Sequence, residues 1–169
     1  MQDMIRVAVD AMGGDNAPDE IIKGAMEAVA LREDIQVLLV GKEELIWEKL
    51  KGYSYREQQV EVVNATEVIE TGEPPVAAIR TKKDSSIVVG LKLVKEEKAA
   101  AFVSAGSSGA VLAGGQLLVG RIKGVERPPL APLIPTEKGV SLLIDCGANV
   151  DARPSHLVQF AKMGSIYME

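Results

Sequence analysis

Short runs of β-branched apolar residues alternate along this chain with longer stretches in which apolar positions recur every three or four residues. Ile5-Arg6-Val7-Ala8-Val9-Asp10 predicts a first strand, Ile35–Val40 a second and Val60–Val63 a third. Ala99–Val103 predicts a fourth, almost uniformly apolar, as a strand covered on both faces is. Leu130–Ile134 and Ser141–Asp145 predict two more, and the prolines of Pro132-Leu133-Ile134-Pro135 demote the former to an edge or irregular strand. Helical spacing runs over Asp19–Leu31, with Ile21, Ile22, Ala25, Met26 and Val29 on one face and Asp19 and Glu20 in the first turn. Glu43–Lys51, Ser86–Lys98, Ser107–Ile122 and Pro154–Tyr167 complete the predicted helices. Such alternation predicts an α/β fold with a mainly parallel sheet. No repeat, low-complexity tract or linker interrupts it, so residues 1–169 are expected to form a single α/β lobe.

Composition narrows the class. Hydrophobic residues are 47% and charged residues 25% of the 169, as in soluble globular proteins and unlike disordered ones. Aromatics are only 4%, so the core must come from Val, Ile, Leu and Ala, which favours tight strand–helix packing over a β-sandwich. A net charge of −5 without a basic tract argues against nucleic acid as the main partner. The single cysteine, Cys146, excludes a disulfide framework and a Cys-based metal site, and fits a reducing cytosol. No apolar run approaches the roughly 18 residues of a membrane span, and the N-terminus lacks the features of a signal peptide. A soluble cytoplasmic protein is therefore expected. Ala161–Glu169 ends without a C-cap, proline or polar tail, which reads as an interrupted chain.

In parallel sheets ligands bind outside the carboxyl ends of the strands, and four segments at such positions carry candidate chemistry. Asp10-Ala11-Met12-Gly13-Gly14-Asp15-Asn16-Ala17-Pro18 follows the first strand. Its paired glycines permit close backbone approach to a ligand, and Asn16 or Asp19 is a candidate cap for the next helix. It is either an ordinary turn or a site in which Asp10 and Asp15 orient something. The pattern G-x-G-x-x-G is absent, and Val40 runs into Gly41-Lys42 rather than an acidic residue, so a nicotinamide cofactor is disfavoured. No cofactor is expected. Arg80-Thr81-Lys82-Lys83-Asp84-Ser85-Ser86 gathers cations and hydroxyls at a helix start, as an anion site or as a solvated turn capped by Asp84 or Ser85.

Ser104-Ala105-Gly106-Ser107-Ser108-Gly109-Ala110 is the most suggestive segment. It leaves an apolar strand and opens a glycine-rich helix, a phosphate or oxyanion cradle without the lysine of a Walker A loop. Gly109, Gly114, Gly115 and Gly120 cost that helix roughly 1 kcal/mol each, which suggests close packing, a partner subunit being one candidate. Asp145-Cys146-Gly147-Ala148-Asn149-Val150-Asp151 offers Asp145, Asn149 and Asp151 as ligand-orienting groups or hard-cation ligands, or as a turn. Cys146 as a nucleophile would need a base, and the only histidine is His156, ten residues on. A buried structural thiol and a surface histidine are the expected roles, and a Ser-His-Asp triad through His156 is equally poor.

Taken in order, several stretches resemble the N-terminal half of the bacterial phosphate acyltransferases of phospholipid synthesis, the acyl-ACP:phosphate (PlsX) family. They are Val9-Asp10-Ala11-Met12-Gly13-Gly14-Asp15, Lys82-Lys83-Asp84-Ser85-Ser86 and Phe102-Val103-Ser104-Ala105-Gly106. Val119-Gly120-Arg121-Ile122 with Arg127-Pro128, Gly147-Ala148-Asn149-Val150-Asp151 and Gln159-Phe160-Ala161-Lys162-Met163-Gly164 extend the likeness over essentially the whole chain. Ser107-Ser108 stands where the family often has Asn-Thr or Ser-Thr, and family members are about twice this length. The resemblance implies a three-layer Rossmann-like fold similar to the isocitrate dehydrogenase and phosphotransacetylase group. It also implies transfer of a fatty acyl group from acyl carrier protein (ACP) to inorganic phosphate, a homodimer, and peripheral contact with the inner face of the membrane through a part absent here.

On that basis Ser104, Gly106, Ser107, Ser108 and Gly109 are expected to hold phosphate, with Asp10, Gly13, Gly14 and Asp15 beside the acyl donor. Lys82, Lys83, Ser86 and Asn149 are the expected catalytic groups, and no metal is expected. Candidate contacts for the acidic ACP are Arg80, Lys82, Lys83, Arg121, Lys123 and Arg127, each equally readable as solvated surface charge. The alternatives are a phosphotransacetylase-like enzyme using a CoA thioester, or a non-catalytic anion-binding or dimerisation lobe.

Overall fold

A computed structural model describes residues 4–169. They form two compact units, one ending at Val119 and the other Gly120–Glu169, a division that the unbroken strand–helix alternation does not mark.

In the first unit β1 (Ile5–Asp10), β2 (Ile35–Gly41), β3 (Val60–Asn64) and β4 (Ala101–Val103) form one parallel sheet in the order β3-β2-β1-β4. The connections carry α1 (Asp19–Leu31), α2 (Glu43–Leu50), α3 (Pro75–Thr81) and α4 (Ser86–Lys95), and α5 (Ser108–Gly114) follows β4. Strand alternation sorts the side chains into layers. Val37 and Leu39 pack with Ile22, Met26 and Val29 of α1 and with Ile46 and Leu50 of α2. Ala8 and Val40 pack with Ala65, Ala99 and the Val89 and Leu93 side chains of α4. Ile79 of α3, Ile87, Val88 and Leu91 of α4 and Ala110 of α5 form a further cluster. The result is helix, sheet, helix, as the α/β pattern predicts. Residues 37–41 of β2 are all buried, the reason that this strand reads as a continuous apolar run. Each fully buried Leu or Ile contributes roughly 1.5–3 kcal/mol.

One buried polar side chain closes the end of α1. The Gln59 amide nitrogen, in a side chain 4% exposed, shares its two hydrogens among the carbonyls of Val29 (3.3 Å), Arg32 (2.7 Å) and Ile35 (3.1 Å), at the end of α1 and the start of β2. At the other end neither Asn16 nor Asp19 caps α1. Pro18 occupies that position, with no side-chain cap.

Two helices depart from the sequence pattern. Pro74-Pro75 reads as loop, yet Pro75 opens α3, since proline at a first helical position loses no hydrogen bond. The helix expected over Ser107–Ile122 is α-helical only to Gly114 and continues as a π-helical turn, Gly115–Val119, which ends at Gly120, at φ +104°. Glycine marks close approach within this unit. A Cβ at Gly114 would lie 2.4 Å from Leu91 Cδ1, at Gly109 2.8 Å from Pro75 Cγ, and at Gly90 2.3 Å from the Phe102 ring. The helix glycines therefore serve packing inside one chain at Gly109 and Gly114.

The second unit departs further. Its strands are β5 (Leu133–Thr136) and β6 (Gly139–Leu142), an antiparallel pair rather than two additions to the parallel sheet. Only Glu137 and Lys138 separate the paired Thr136 and Gly139, and so short a loop joins antiparallel strands; a parallel pair needs a crossover of a dozen residues or more. Pro135 sits in β5, which pairs on one side only, as its prolines predict. The last helix, α6 (Pro154–Tyr167), has the predicted bounds. No described helix is long and apolar enough to cross a membrane.

Replacing Gly90 by Val should destabilise the fold by about 1–3 kcal/mol, because added methyls meet the Phe102 ring. A lower urea midpoint at unchanged slope is the expected observation; an unchanged midpoint would show that α4 and β4 can separate freely.

Candidate functional site

Strand order reverses between β1 and β4. From β1 the chain moves outward through β2 to β3, then returns to the opposite side of β1 to form β4. The loops leaving the carboxyl ends of β1 and β4 thus diverge, opening the crevice where ligands bind in open α/β sheets. Two of the four candidate segments are these two loops.

Asp10 ends β1 and is 1% exposed. Its Oδ1 accepts the Met12 N–H at 3.1 Å, and its Oδ2 accepts the Ser104 hydroxyl at 2.7 Å. Ser104 Oγ in turn accepts the Gly106 N–H at 3.0 Å. Buried carboxylates need such donors, since the desolvation cost is otherwise several kcal/mol. The two loops also touch through backbone. A Cβ at Gly13 would lie 2.3 Å from Asp10 Oδ2 and 2.8 Å from the Gly106 nitrogen, so only glycine fits. Gly14, at φ +105°, carries the chain past Ala105, where a Cβ would meet the Ala105 carbonyl at 3.2 Å.

Beyond Gly106, the Ser107 hydroxyl accepts the Ala110 N–H at 3.2 Å and caps α5. Ser107 is buried by this role, whereas Ser108 and Gly109 are exposed. Their N–H groups lie in the first turn of α5 and have no helical acceptor. Asp10, Gly13, Gly14, Ser104 and Gly106 are therefore brought into one constellation, with Ser108 and Gly109 at its open side. Asp15 is exposed and lines a surface depression with Asn16, Ala17, Asp19 and Glu20, whose acidic lining is unsuited to an anion.

The Arg80–Ser86 segment is organised differently from a cluster of free donors. Lys82 Nζ donates to the Val68 carbonyl (2.6 Å) and to Glu73 Oε1 (2.5 Å), tying the 68–73 loop to the end of α3. That contact, with a second bond from the Glu70 N–H, holds the Glu73 carboxyl below its usual range. Lys83 Nζ contacts the Ile79 carbonyl at 3.3 Å. Ser85, not Asp84, caps α4, accepting the Val88 N–H at 3.4 Å. Asp84 instead accepts the Thr66 hydroxyl (2.5 Å) and N–H (3.0 Å), which lower its pKa. Ser86 is 1% exposed. No described hydrogen bond joins Lys82, Lys83 or Ser86 to the Ser104–Gly109 turn. The turn chemistry of Thr71-Gly72-Glu73-Pro74-Pro75 marks a loop that would aim this cluster, but neither the pairing of Glu73 nor that of Thr66 shows in the sequence, because their partners lie 9 and 18 residues away with no periodic signal between.

Asn149 belongs to the second unit, where its N–H (2.7 Å) and side-chain amide (3.3 Å) donate to Asp145 Oδ2 and its amide also reaches the Pro128 carbonyl at 3.2 Å. Asp145 Oδ1 accepts the Leu130 N–H at 2.6 Å. Asp151 pairs with Arg127 at 2.8 Å, which holds its carboxyl below the usual range. Arg121 bonds the Glu126 carbonyl, while Lys123 and Arg80 are exposed. The expected roles of Cys146 and His156 are reversed. Cys146 is exposed, and His156 is 4% exposed, its Nδ1 accepting the Arg153 N–H (3.1 Å) and its Nε2 facing Glu126 (3.0 Å). A histidine three residues into a helix can bond back to the chain before it, and this local geometry overrides its polarity.

A family model described as "Fatty acid synthesis protein" matches residues 5–169. A phosphate acyltransferase of Alkaliphilus oremlandii is 53% identical over 165 residues, covering 98% of this chain and 49% of that protein. One from Thermoanaerobacter pseudethanolicus is 51% identical, covering 98% and 48%. The chain thus spans about half the length of the curated relatives it matches. A phosphotransacetylase structure from Streptococcus pyogenes superposes with a TM-score of 0.68 at 17% identity, over 94% of this chain and 51% of that one. That likeness shows a shared fold.

Because Lys82 lowers the Glu73 pKa, the pair stabilises the loop above the usual carboxyl range and is lost as pH falls through the lowered value. Lys82→Met should raise the Glu73 pKa toward the usual carboxyl range, with the Glu70 N–H bond still in place, followed by carboxyl ¹³C shifts; an unmoved Glu73 would contradict the pairing.

Proposed function

The chain belongs to the fatty acid synthesis protein family, and from that membership we propose that it carries the phosphate-binding part of an acyltransferase that moves a fatty acyl group from acyl carrier protein to inorganic phosphate. The observation that carries this proposal is the meeting of the β1 and β4 loops at the reversal of strand order, with Gly13 against Gly106. Phosphate sits on the open side of the Ser104–Gly109 turn, facing the Ser108 hydroxyl and the N–H groups of Ser108 and Gly109.

The chemistry asks little covalent work of the protein. A phosphate oxygen attacks the thioester carbonyl, the new C–O bond forms, the C–S bond breaks, and the thiolate leaves with a proton from the phosphate or solvent. Phosphate dianion is already nucleophilic near neutral pH and thiolate is a good leaving group, so no enzyme-bound acyl intermediate is needed. Positioning and stabilisation of the tetrahedral oxyanion then supply the rate. The exposed thiol of Cys146 and the engaged ring of His156 are not required. Lys82 and Lys83 act through loop geometry and local positive potential, since Lys82 is held by Glu73. In the whole protein, the acidic carrier protein docks by charge, a second copy completes a dimer, and the remaining half contacts the membrane surface.

Inorganic phosphate titrated into the chain should shift the amide resonances of residues 105–109. Gly106→Val, whose side chain would crowd Gly13 and Ser104, should remain folded and lose that response. An unchanged phosphate affinity in the folded variant would remove the turn from the site. Hydroxylamine trapping then tests turnover. Hydroxamate that requires both acyl-ACP and phosphate supports the transferase; equal turnover of acyl-CoA would favour a phosphotransacetylase-like enzyme, and binding without turnover an anion-binding lobe.

A further inference from the structure

We propose that Asp10 is a positioning residue for the anion turn, acting through Ser104 and never touching the ligand; this rests on assigning the Ser104–Gly109 turn to phosphate. Three bonds carry the inference. A carboxylate oxygen accepts and does not donate, so the single hydroxyl proton of Ser104, 2.7 Å from Asp10 Oδ2, points at Asp10. The Ser104 oxygen then turns a lone pair to the Gly106 N–H, 3.0 Å away. Asp10 is kept from rotating by the Met12 N–H on its other oxygen. The bonds run one way, from Gly106 through Ser104 to Asp10, each polarising the next.

This assigns roles within the turn that residue type alone does not. Ser104 and Gly106 look like two donors for an anion, yet both are spent inward. Asp10, 1% exposed, lies behind them and shows its charge to no ligand. What remains for phosphate is the exposed part of the turn, Ser108 and Gly109 with the Ala105 backbone. The same carboxylate sets the spacing of the β1 loop, since Gly13 has no room for a Cβ between Asp10 Oδ2 and the Gly106 nitrogen. Asp10 therefore fixes where the turn stands and which of its donors face outward.

The test uses the chain with Asp10→Ala, Ser104→Ala and the double substitution, reading Gly106 amide exchange without ligand and inorganic phosphate affinity separately. Each single substitution should speed Gly106 exchange and weaken phosphate by about tenfold, the loss of one ordinary hydrogen bond. The double variant should be no worse than either single, and Ser104→Thr, which keeps the hydroxyl, should restore both readouts. If Asp10→Ala does not fold, Asp10→Asn replaces it. Its amide must either donate to Ser104, turning that hydroxyl proton away, or keep its oxygen on Ser104 and leave Met12 unpaired, so Gly106 or Met12 exchange should still rise. Unchanged Gly106 exchange, or effects on affinity that multiply in the double variant, would overturn the positioning role alone. A wild-type chain that does not bind phosphate would overturn the anion assignment and this role with it, even with Gly106 still coupled to Asp10.

Discussion

A carboxylate withdrawn from water at the mouth of a parallel sheet must be met by donors, and Asp10 is met from two directions. One donor comes from its own loop, at Met12, and the other from just past β4, 94 residues on, at Ser104. Because Asp10 ends β1 and Ser104 follows the neighbouring β4, the bond fastens the two loops that diverge at the reversal of strand order. Gly13, Gly14 and Gly106 follow from that fastening, since the backbones approach too closely for side chains. Ala8 of β1 and Val40 of β2 pack with Ala65, Ala99 and the Val89 and Leu93 side chains of α4, where larger residues would hold the sheet and α4 apart.

Charge in this unit is used mainly to hold loops. Lys82 is bound by Glu73 and a carbonyl, Asp84 by Thr66, and Ser85 by its helix. The stretch that looks richest in anion donors is thus largely spent on connecting residues 66–73 to the start of α4. The proposed phosphate site is correspondingly spare, a turn of small residues with a few outward donors. In the proposed reaction, a nucleophile as competent as phosphate and a leaving group as good as a thiolate would suit such a site, where position matters more than acid or base strength.

The second unit shows how local geometry redirects residues that look chemical. Asp145 organises the Leu130 and Asn149 backbones, and Arg127 takes Asp151. His156 closes the start of α6 by accepting the Arg153 N–H. Each is a polar group satisfied by a neighbour in the same unit, Asp151 at the surface and His156 in the interior.

The hydrophobic pattern by itself determined the parallel sheet, the bounds of β1, α1 and α6, and the loops that matter, because periodicity and the strand–loop–helix order are local properties. It also marked Asp10, Gly13, Gly14, Ser104 and Gly106, which follow strands directly. Tertiary structure alone decided which of these are bonded to one another, because the Asp10–Ser104 bond spans 94 residues and leaves no mark on either segment. It likewise decided that Lys82 belongs to Glu73, that the helix glycines at 109 and 114 meet Pro75 and Leu91, and that among the described residues β5 and β6 pair only with each other. Hydrogen bonds and close contacts between distant segments are set by where the packed elements bring them, and a one-dimensional pattern carries the elements but not their meeting points.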